Sequence, residues 1–480
     1  MILASNPRVG QPYRFAYDAR DTMTPSPPPS ENESGYESPD LQRPASASPT
    51  EPEMEQEASH VGHDPYAALR VPQYRWFMFG WIVALLGHQM LSTAVAWEVF
   101  DRTGSKLALG FVAGVQVIPL LIIGLPAGQV ADAFDRRRIL QVSSLGSALC
   151  STALAFLSYQ PGSLPWMFVF LGLGSAFLIL GRPARQALLP LIVEAKVFTN
   201  AVTWNSTGFQ IASMAGPALG GFALAYSTRL AYGIDAVCAV AYAVIMMFVR
   251  PRKMDIRPKR PDEKGLAGAL VGLKFVRKTH LIAAVMLLDL IAVLLGGAAY
   301  LLPVFAKEVL HVGSIGFGWL RAAEAIGACT LALIIAHTPP IKNAGRTLMV
   351  AVLGFGICTI VFGLSKYYWL SFLMLFGIGA CDNISVVIRH TIVQMLTPDS
   401  MRGRVSAVNN LSIGCSNELG GFESGVTAHL FGPVISVVGG GIGTICAVVG
   451  ISFLYPQLRK LKEVHNLKPA DEAVSATNPN

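Results

Sequence analysis

Nearly all the apolar residues of the chain fall between 76 and 456, where they form about twelve runs separated by short polar breaks. Each run has about 20 residues, enough for a helix to cross about 30 Å of hydrocarbon. The runs lie near 76–100, 107–131, 139–159, 164–190, 200–226, 229–249, 280–306, 314–337, 346–365, 367–395, 404–430 and 432–456. The pattern predicts an all-α membrane protein with twelve transmembrane helices.

A basic segment at 250–279 divides the runs six and six. A faint repeat supports the division. Arg185 is followed 20 residues later by Asn205, and Arg389 is followed 20 residues later by Asn409. Both stretches join the fourth run of a set to the fifth. Two pseudo-symmetric six-helix halves around a central cavity are therefore expected. The expected divisions are a Pro/Ser/Glu-rich disordered tail at 1–72, a first half at 73–249, a central loop at 250–279, a second half at 280–456 and a C-terminal tail at 457–480. The second part of the central loop mixes Leu, Val and Phe with Lys and Arg, as a helix lying on a membrane surface would. The N-terminal segment lacks the apolar core of a signal peptide, so the first span is expected to direct its own insertion.

Composition agrees with this pattern: 52% of the 480 residues are hydrophobic and 14% charged, against about 25% charged in a soluble domain. The net charge of +7 is unevenly placed. The 128–138 loop and the central loop are rich in Lys and Arg, whereas the loops on the other side hold Arg102, Lys106, Arg229, Lys307 and Lys366. The positive-inside bias puts the first set, and both termini, in the cytoplasm of a multi-pass protein of the cell membrane. Basic residues dispersed over loops do not suggest a nucleic-acid partner. Cysteines 150, 238, 329, 358, 381, 415 and 446 lie in or beside the spans, form no CxxC pair, and are expected to be small buried hydrophobes. No phosphate-binding loop, zinc-protease or serine-hydrolase motif occurs, so no enzyme activity, cofactor or metal is expected.

The loop between the second and third runs reads GQVADAFDRRR. Gly128 would admit a neighbouring helix. Asp132, at a helix mouth, calls for a positive partner such as another helix N-terminus. Gly-x-x-x-Asp followed by clustered Arg resembles the signature loop of the major facilitator superfamily, with Ala133 and Asp135 as departures. TGSKLALGFVAGVQVIP, GRPARQALLP, GPALGG, LPVFAKEVL, DNISVVIRHTIVQMLTPDSMRGRVSAVNN and SNELGGFESG are similar to the branch containing bacterial enterobactin exporters. The resemblance covers roughly residues 75–460 and implies the major facilitator fold. It implies that Gly128, Asp132, Arg136 and Arg137 form a cytoplasmic latch, with Asp132 facing the stretch from Met401 to Val405. Gly216, Pro217, Gly220 and Gly221 match the core of that superfamily's antiporter motif, a bend and tight interface in the fifth span.

Ionisable residues inside a span cost at least about 2.5 kcal/mol to insert and are functional candidates by default. Asp289, Asp382, Glu324, Arg321 and Arg389 are the candidates for ion coupling, with Asp289 and Asp382 first. Structural pairing is the competing role, for instance Asp382 with Arg389 two turns along. Gln89, Trp97, Gln116, Arg185, Asn205, Asn409 and Glu418 are candidates to line the cavity. Interhelical hydrogen bonding is their plainer role. The expected protein is a monomeric secondary transporter that exports an amphiphilic small molecule, a siderophore or drug-like compound, by alternating access with proton antiport. An importer of the same fold, or a membrane scaffold or sensor, are the alternatives.

Overall fold

A computed structural model of the chain describes residues 64–160, 162–252, 265–339 and 342–462. The expected tail up to 63, the first part of the central loop and the C-terminal tail from 463 lie outside the described residues. The remainder is helical. After a 3-10 turn at Ala68–Arg70, α1 spans Pro72–Thr103, α2 Lys106–Ala133, α3 Arg136–Leu157, α4 Leu164–Ile192, α5 Ala195–Tyr226 and α6 Thr228–Ile245. The amphipathic helix α7 occupies Gly265–Lys278. Then follow α8 at His280–Leu295, α9 at Ser314–Ala336, α10 at Ala344–Leu364, α11 at Tyr368–Leu396, α12 at Asp399–Phe431 and α13 at Pro433–Leu454. With α7 set aside, these are the twelve expected helices in two sets of six.

The joints follow from local sequence. Ser105, Asp135 and Ser227 each accept a hydrogen bond from a backbone N–H in the first turn of α2, α3 and α6, which satisfies one of the orphan donors there. Gly104 ends α1 in the left-handed conformation at φ 56°, which costs glycine nothing. The seventh predicted span is broken: α8 stops at Gly296 and the chain continues through short turns to Val309. Gly297 marks the break, because a Cβ there would lie 2.8 Å from the Gly420 carbonyl of α12.

Among the described residues, ten helical segments are long and apolar enough to cross a bilayer by length and composition. The two long helices outside that set, α5 and α12, are the more polar ones. They lie where the halves meet: α5 packs on α1 and on α9, and α12 on α2 and on α8. A helix that faces another half and a polar interior, rather than lipid, needs fewer apolar residues.

Among the described residues the buried core has three parts. One cluster joins the halves, with Val99, Phe100, Leu109 and Val112 of the first against Phe305, Phe317, Leu320 and Phe362 of the second. These residues sit at the end opposite the basic loops. At the basic end each half has a separate core, one around Tyr74, Phe77, Leu188 and Met246 and the other around Ile282, Leu288, Leu348 and Ile392. Among the described residues, the apolar cluster that joins the halves therefore lies at the end opposite the basic loops.

Candidate transport site

Close helix approach makes the closed end. A Cβ at Gly221 would lie 2.8 Å from the Cα of Gly318, and one at Gly110 would lie 3.1 Å from the Cα of Gly425. Small residues thus let α5 meet α9, and α2 meet α12, at backbone contact. Charges complete the seal. Lys307 pairs with Asp101, and Lys106 with Glu308 at 3.2 Å. Each pair joins one half to the other. Lys307 also lies 4.5 Å above the ring of Trp97, which packs on Phe317 at a centroid separation of 5.2 Å.

Deeper in the bundle a set of polar side chains converges from both halves. Arg321 Nη2 of α9 donates to Ser92 Oγ of α1 at 2.8 Å. Tyr300, in the turns after α8, donates to Glu418 Oε2 of α12 at 3.2 Å. The Gly296–Gly297 break delivers Tyr300 to that position, and Gly421 leaves room for its ring, which a Cβ would meet at 2.7 Å. Arg182 of α4 and Arg321 both act electrostatically on Glu418, and both act on His88 of α1. Glu324 lies three residues after Arg321, on the same face of α9, and within electrostatic range of Asp382 of α11. Two arginines and three carboxylates therefore share one region between the halves. Such a set can hold a charged or hydrogen-bonding solute and can exchange a proton as its surroundings change.

Asp289 lies apart from this set. It is buried and ion-paired with Arg389 of α11, so the pairing of Arg389 with Asp382 considered from sequence is replaced by one with the first helix of the half. Two helical turns hold Asp382 and Arg389 on one strip of α11, but α8 packs against that helix and presents Asp289 to the guanidinium. The repeat carries a parallel here. Arg185 also reaches the first helix of its own half, lying 4.3 Å above the ring of Trp81. Asn205 accepts from Tyr74 Oη at 3.1 Å, and Asn409 is buried.

Other residues named from sequence are placed as follows. Gly216, Pro217, Gly220 and Gly221 are all buried in α5; a Cβ at Gly220 would lie 3.1 Å from the Cα of Met90, and one at Gly216 would collide with Gln89. Trp97 belongs to the closed end rather than to the polar set. Gln116 donates to the Val112 carbonyl of its own helix at 3.0 Å. Gly128 differs from expectation: a Cβ there meets nothing within 4 Å. Arg137 donates to the Met247 carbonyl at 2.7 Å, within its own half. Arg136 is half-buried, with Nε lacking a hydrogen-bond partner. Asp132 is exposed at the end of α2. Of the seven cysteines, Cys150 is buried, Cys446 is exposed and the others are intermediate, so burial as small hydrophobes describes only the first.

Sequence reasoning passed over Arg182, Tyr300, Glu98 and Asp235. Glu98 is buried, where it pairs with Arg102 at 2.6 Å and accepts from Tyr232 Oη at 2.6 Å. Asp235 is buried and accepts from Ser151. The rule that flags a charge inside a span applied equally to Arg182, Glu98 and Asp235. Tyr300 carried no such signal, since its place depends on the break in the helix.

Known proteins bear on this arrangement. Residues 63–476 match the family described as transmembrane secretion effector. The chain belongs to this family of major facilitator transporters. Its relatives include the staphyloferrin A transporter of Staphylococcus aureus, 24% identical over 81% of this chain and 98% of the relative. The enterobactin exporter EntS of Citrobacter koseri is 22% identical over 82% of this chain and 94% of its own. The multidrug efflux pump Tap of Mycolicibacterium fortuitum is 26% identical, covering 80% and 96%. Among solved structures, the peptide transporter POT in complex with sulfate superposes with a TM-score of 0.63 at 14% identity, over 82% of this chain and 96% of that one. A bacterial homologue of the human lysosomal transporter Spinster, inward-facing and occupied, gives 0.62 at 14% identity, over 83% and 98%. These structures share the major facilitator fold.

Proposed function

We propose that this chain is a secondary active exporter of an amphiphilic small molecule, a siderophore or drug-like compound, driven by proton entry. The carrying observation is the polar set between the halves, tied across them by the Arg321–Ser92 hydrogen bond, in a bundle whose halves are joined at the end opposite the basic loops by an apolar cluster and two ion pairs. A solute held there is reached from the basic end, which the positive-inside bias makes cytoplasmic. Export then requires the seal of Lys307, Asp101, Lys106 and Glu308 to part and the basic end to close. Gly128, Asp132, Arg136 and Arg137 act in this reading as the latch of the basic end. The names of three relatives, an enterobactin exporter, a staphyloferrin A transporter and a multidrug efflux pump, support the cargo class.

Glu418, Glu324 and Asp382 are the proton carriers in this reading, and Arg321 the group that senses their charge. A proton arriving on Glu418 weakens its hold on Arg182 and Arg321, freeing them for an anionic group of the cargo or for rearrangement. The protein works as a monomer. The test is uptake by inverted membrane vesicles of iron-free catecholate and carboxylate siderophores and of cationic dyes, with and without an imposed proton gradient. Gradient-driven uptake that falls in Glu418→Gln supports the proposal. Movement only in the reverse direction would make the chain an importer, and no movement of any compound by folded protein would leave a scaffold or sensor.

A further inference from the structure

Helices α10 and α11 are joined by a short turn at 365–367 and pack against each other. Each carries the run Gly-x-Gly-x-Cys: Gly354 to Cys358 in α10 and Gly377 to Cys381 in α11. The two runs face each other reciprocally. A Cβ at Gly354 would lie 2.9 Å from Cys381 Sγ, and a Cβ at Gly377 would lie 2.9 Å from Cys358 Sγ. Each sulfur fills the space that the other helix leaves by having glycine one turn earlier. The thiols are free and partly accessible. The remaining glycine of each run holds the frame. Gly356 packs on the Gly441 carbonyl of α13, where a Cβ would come within 3.0 Å, and Gly379 packs on the backbone of Glu324 in α9.

We propose that Cys358 and Cys381 form a dithiol site for a soft thiophilic ligand, a trivalent metalloid such as an organoarsenical. Two thiols that each lie against the other's helix, beside the glycine one turn before the other sulfur, can chelate one such centre, and sulfur ligands select soft centres. In the step R–As=O + 2 RSH → R–As(SR)₂ + H₂O, the arsenic–oxygen bond breaks and two arsenic–sulfur bonds form. Both thiol protons leave with the oxygen as water, and arsenic stays trivalent. The occupied site ties α10 to α11 one residue before Asp382, and beside the α9 backbone that presents Glu324. A ligand there would hold both acids in one arrangement and stall the cycle. This consequence rests on the proposed function; the binding itself does not.

The test uses the full-length protein in proteoliposomes, treated with phenylarsine oxide and then washed with excess 2-mercaptoethanol. A single thiol loses the arsenical to the monothiol, whereas a paired site keeps it because the second sulfur acts at high effective concentration. Intact mass should show one retained arsenical per chain, released by 2,3-dimercaptopropanol. Retention should fall at least roughly tenfold in Cys358→Ser and in Cys381→Ser, and stay unchanged in Cys415→Ser and Cys446→Ser. If either serine variant fails to fold, the alanine variant replaces it. An unmodified wild-type chain after treatment, or retention unaffected by both substitutions, overturns the site. Retention without any effect on transport would keep the site and remove only its bearing on the cycle.

Discussion

At the scale of single residues, two arginines of the second half are used differently. Arg389 is buried against Asp289 in a pair confined to that half. Removing one partner strands a charge in a low-dielectric interior, at a cost of about 3–5 kcal/mol. Arg389→Ala should therefore lower the thermal midpoint of the purified protein sharply. Asp289→Leu combined with Arg389→Met should recover most of that loss, because both charges go together. If the double variant recovers stability but not flux, Asp289 has a part in coupling; if it recovers both, the pair is architectural. Arg321 instead bonds to Ser92 across the halves. A hydrogen bond from a charged group contributes about 1.5–3 kcal/mol, so Arg321→Gln should weaken the arrangement seen here and change the initial rate of transport roughly ten- to a hundredfold. An unaltered initial rate in vesicles would exclude Arg321 from the working site. The sequence showed that Asp289, Arg321, Glu324, Asp382, Arg389 and Glu418 were unusual by their place in apolar runs. It did not show which faced which, since that depends on the rotation of each helix and on the break that turns Tyr300 onto Glu418.

At the scale of elements, hydrophobic run length predicted the helices well, because crossing the bilayer fixes both length and composition. It predicted α5 and α12 as spans like the rest, although they are the more polar helices of the interface between halves. The glycines of GPALGG were legible as a tight interface, and the structure supplies the partners, Met90 and Gln89 of α1 and Gly318 of α9. Gly221 is the critical position. Adding a side chain there forces α5 from α9 at the closed end, since the nearest atoms are backbone: Ser314 O at 2.7 Å and Gly318 Cα at 2.8 Å. Gly221→Leu should open the sealed end and bias the protein away from the arrangement seen here. Spin labels at Tyr226 and His311, one in each half near that end, should report a longer distance in Gly221→Leu than in wild type. An unchanged distance distribution would mean that the contact is not what keeps the end shut.

At the scale of the whole molecule, the seal between halves combines an apolar cluster with two ion pairs of opposite sense: Asp101 to Lys307 and Lys106 to Glu308. Partly exposed pairs contribute little individually, about 0–1 kcal/mol each. In the proposed cycle these pairs part as the sealed end opens, so an equilibrium balanced within a few kcal/mol is nevertheless sensitive to them. Reversal is more informative than removal. Asp101→Lys places two ammonium groups together and should weaken the seal, while Lys307→Asp added to it restores attraction with the polarity inverted. The single reversal should raise reactivity of a cysteine introduced at Ser92 toward a membrane-impermeant thiol reagent added from the side opposite the basic loops. The double reversal should lower it again, and high salt should shrink the difference by screening. Equal reactivity in all three proteins would show that the apolar cluster of Phe305, Phe317 and Phe362 holds the end closed unaided. Exchange of states would then be governed by that packing and by the glycine contacts of α5, with the charges serving the approach of solute instead.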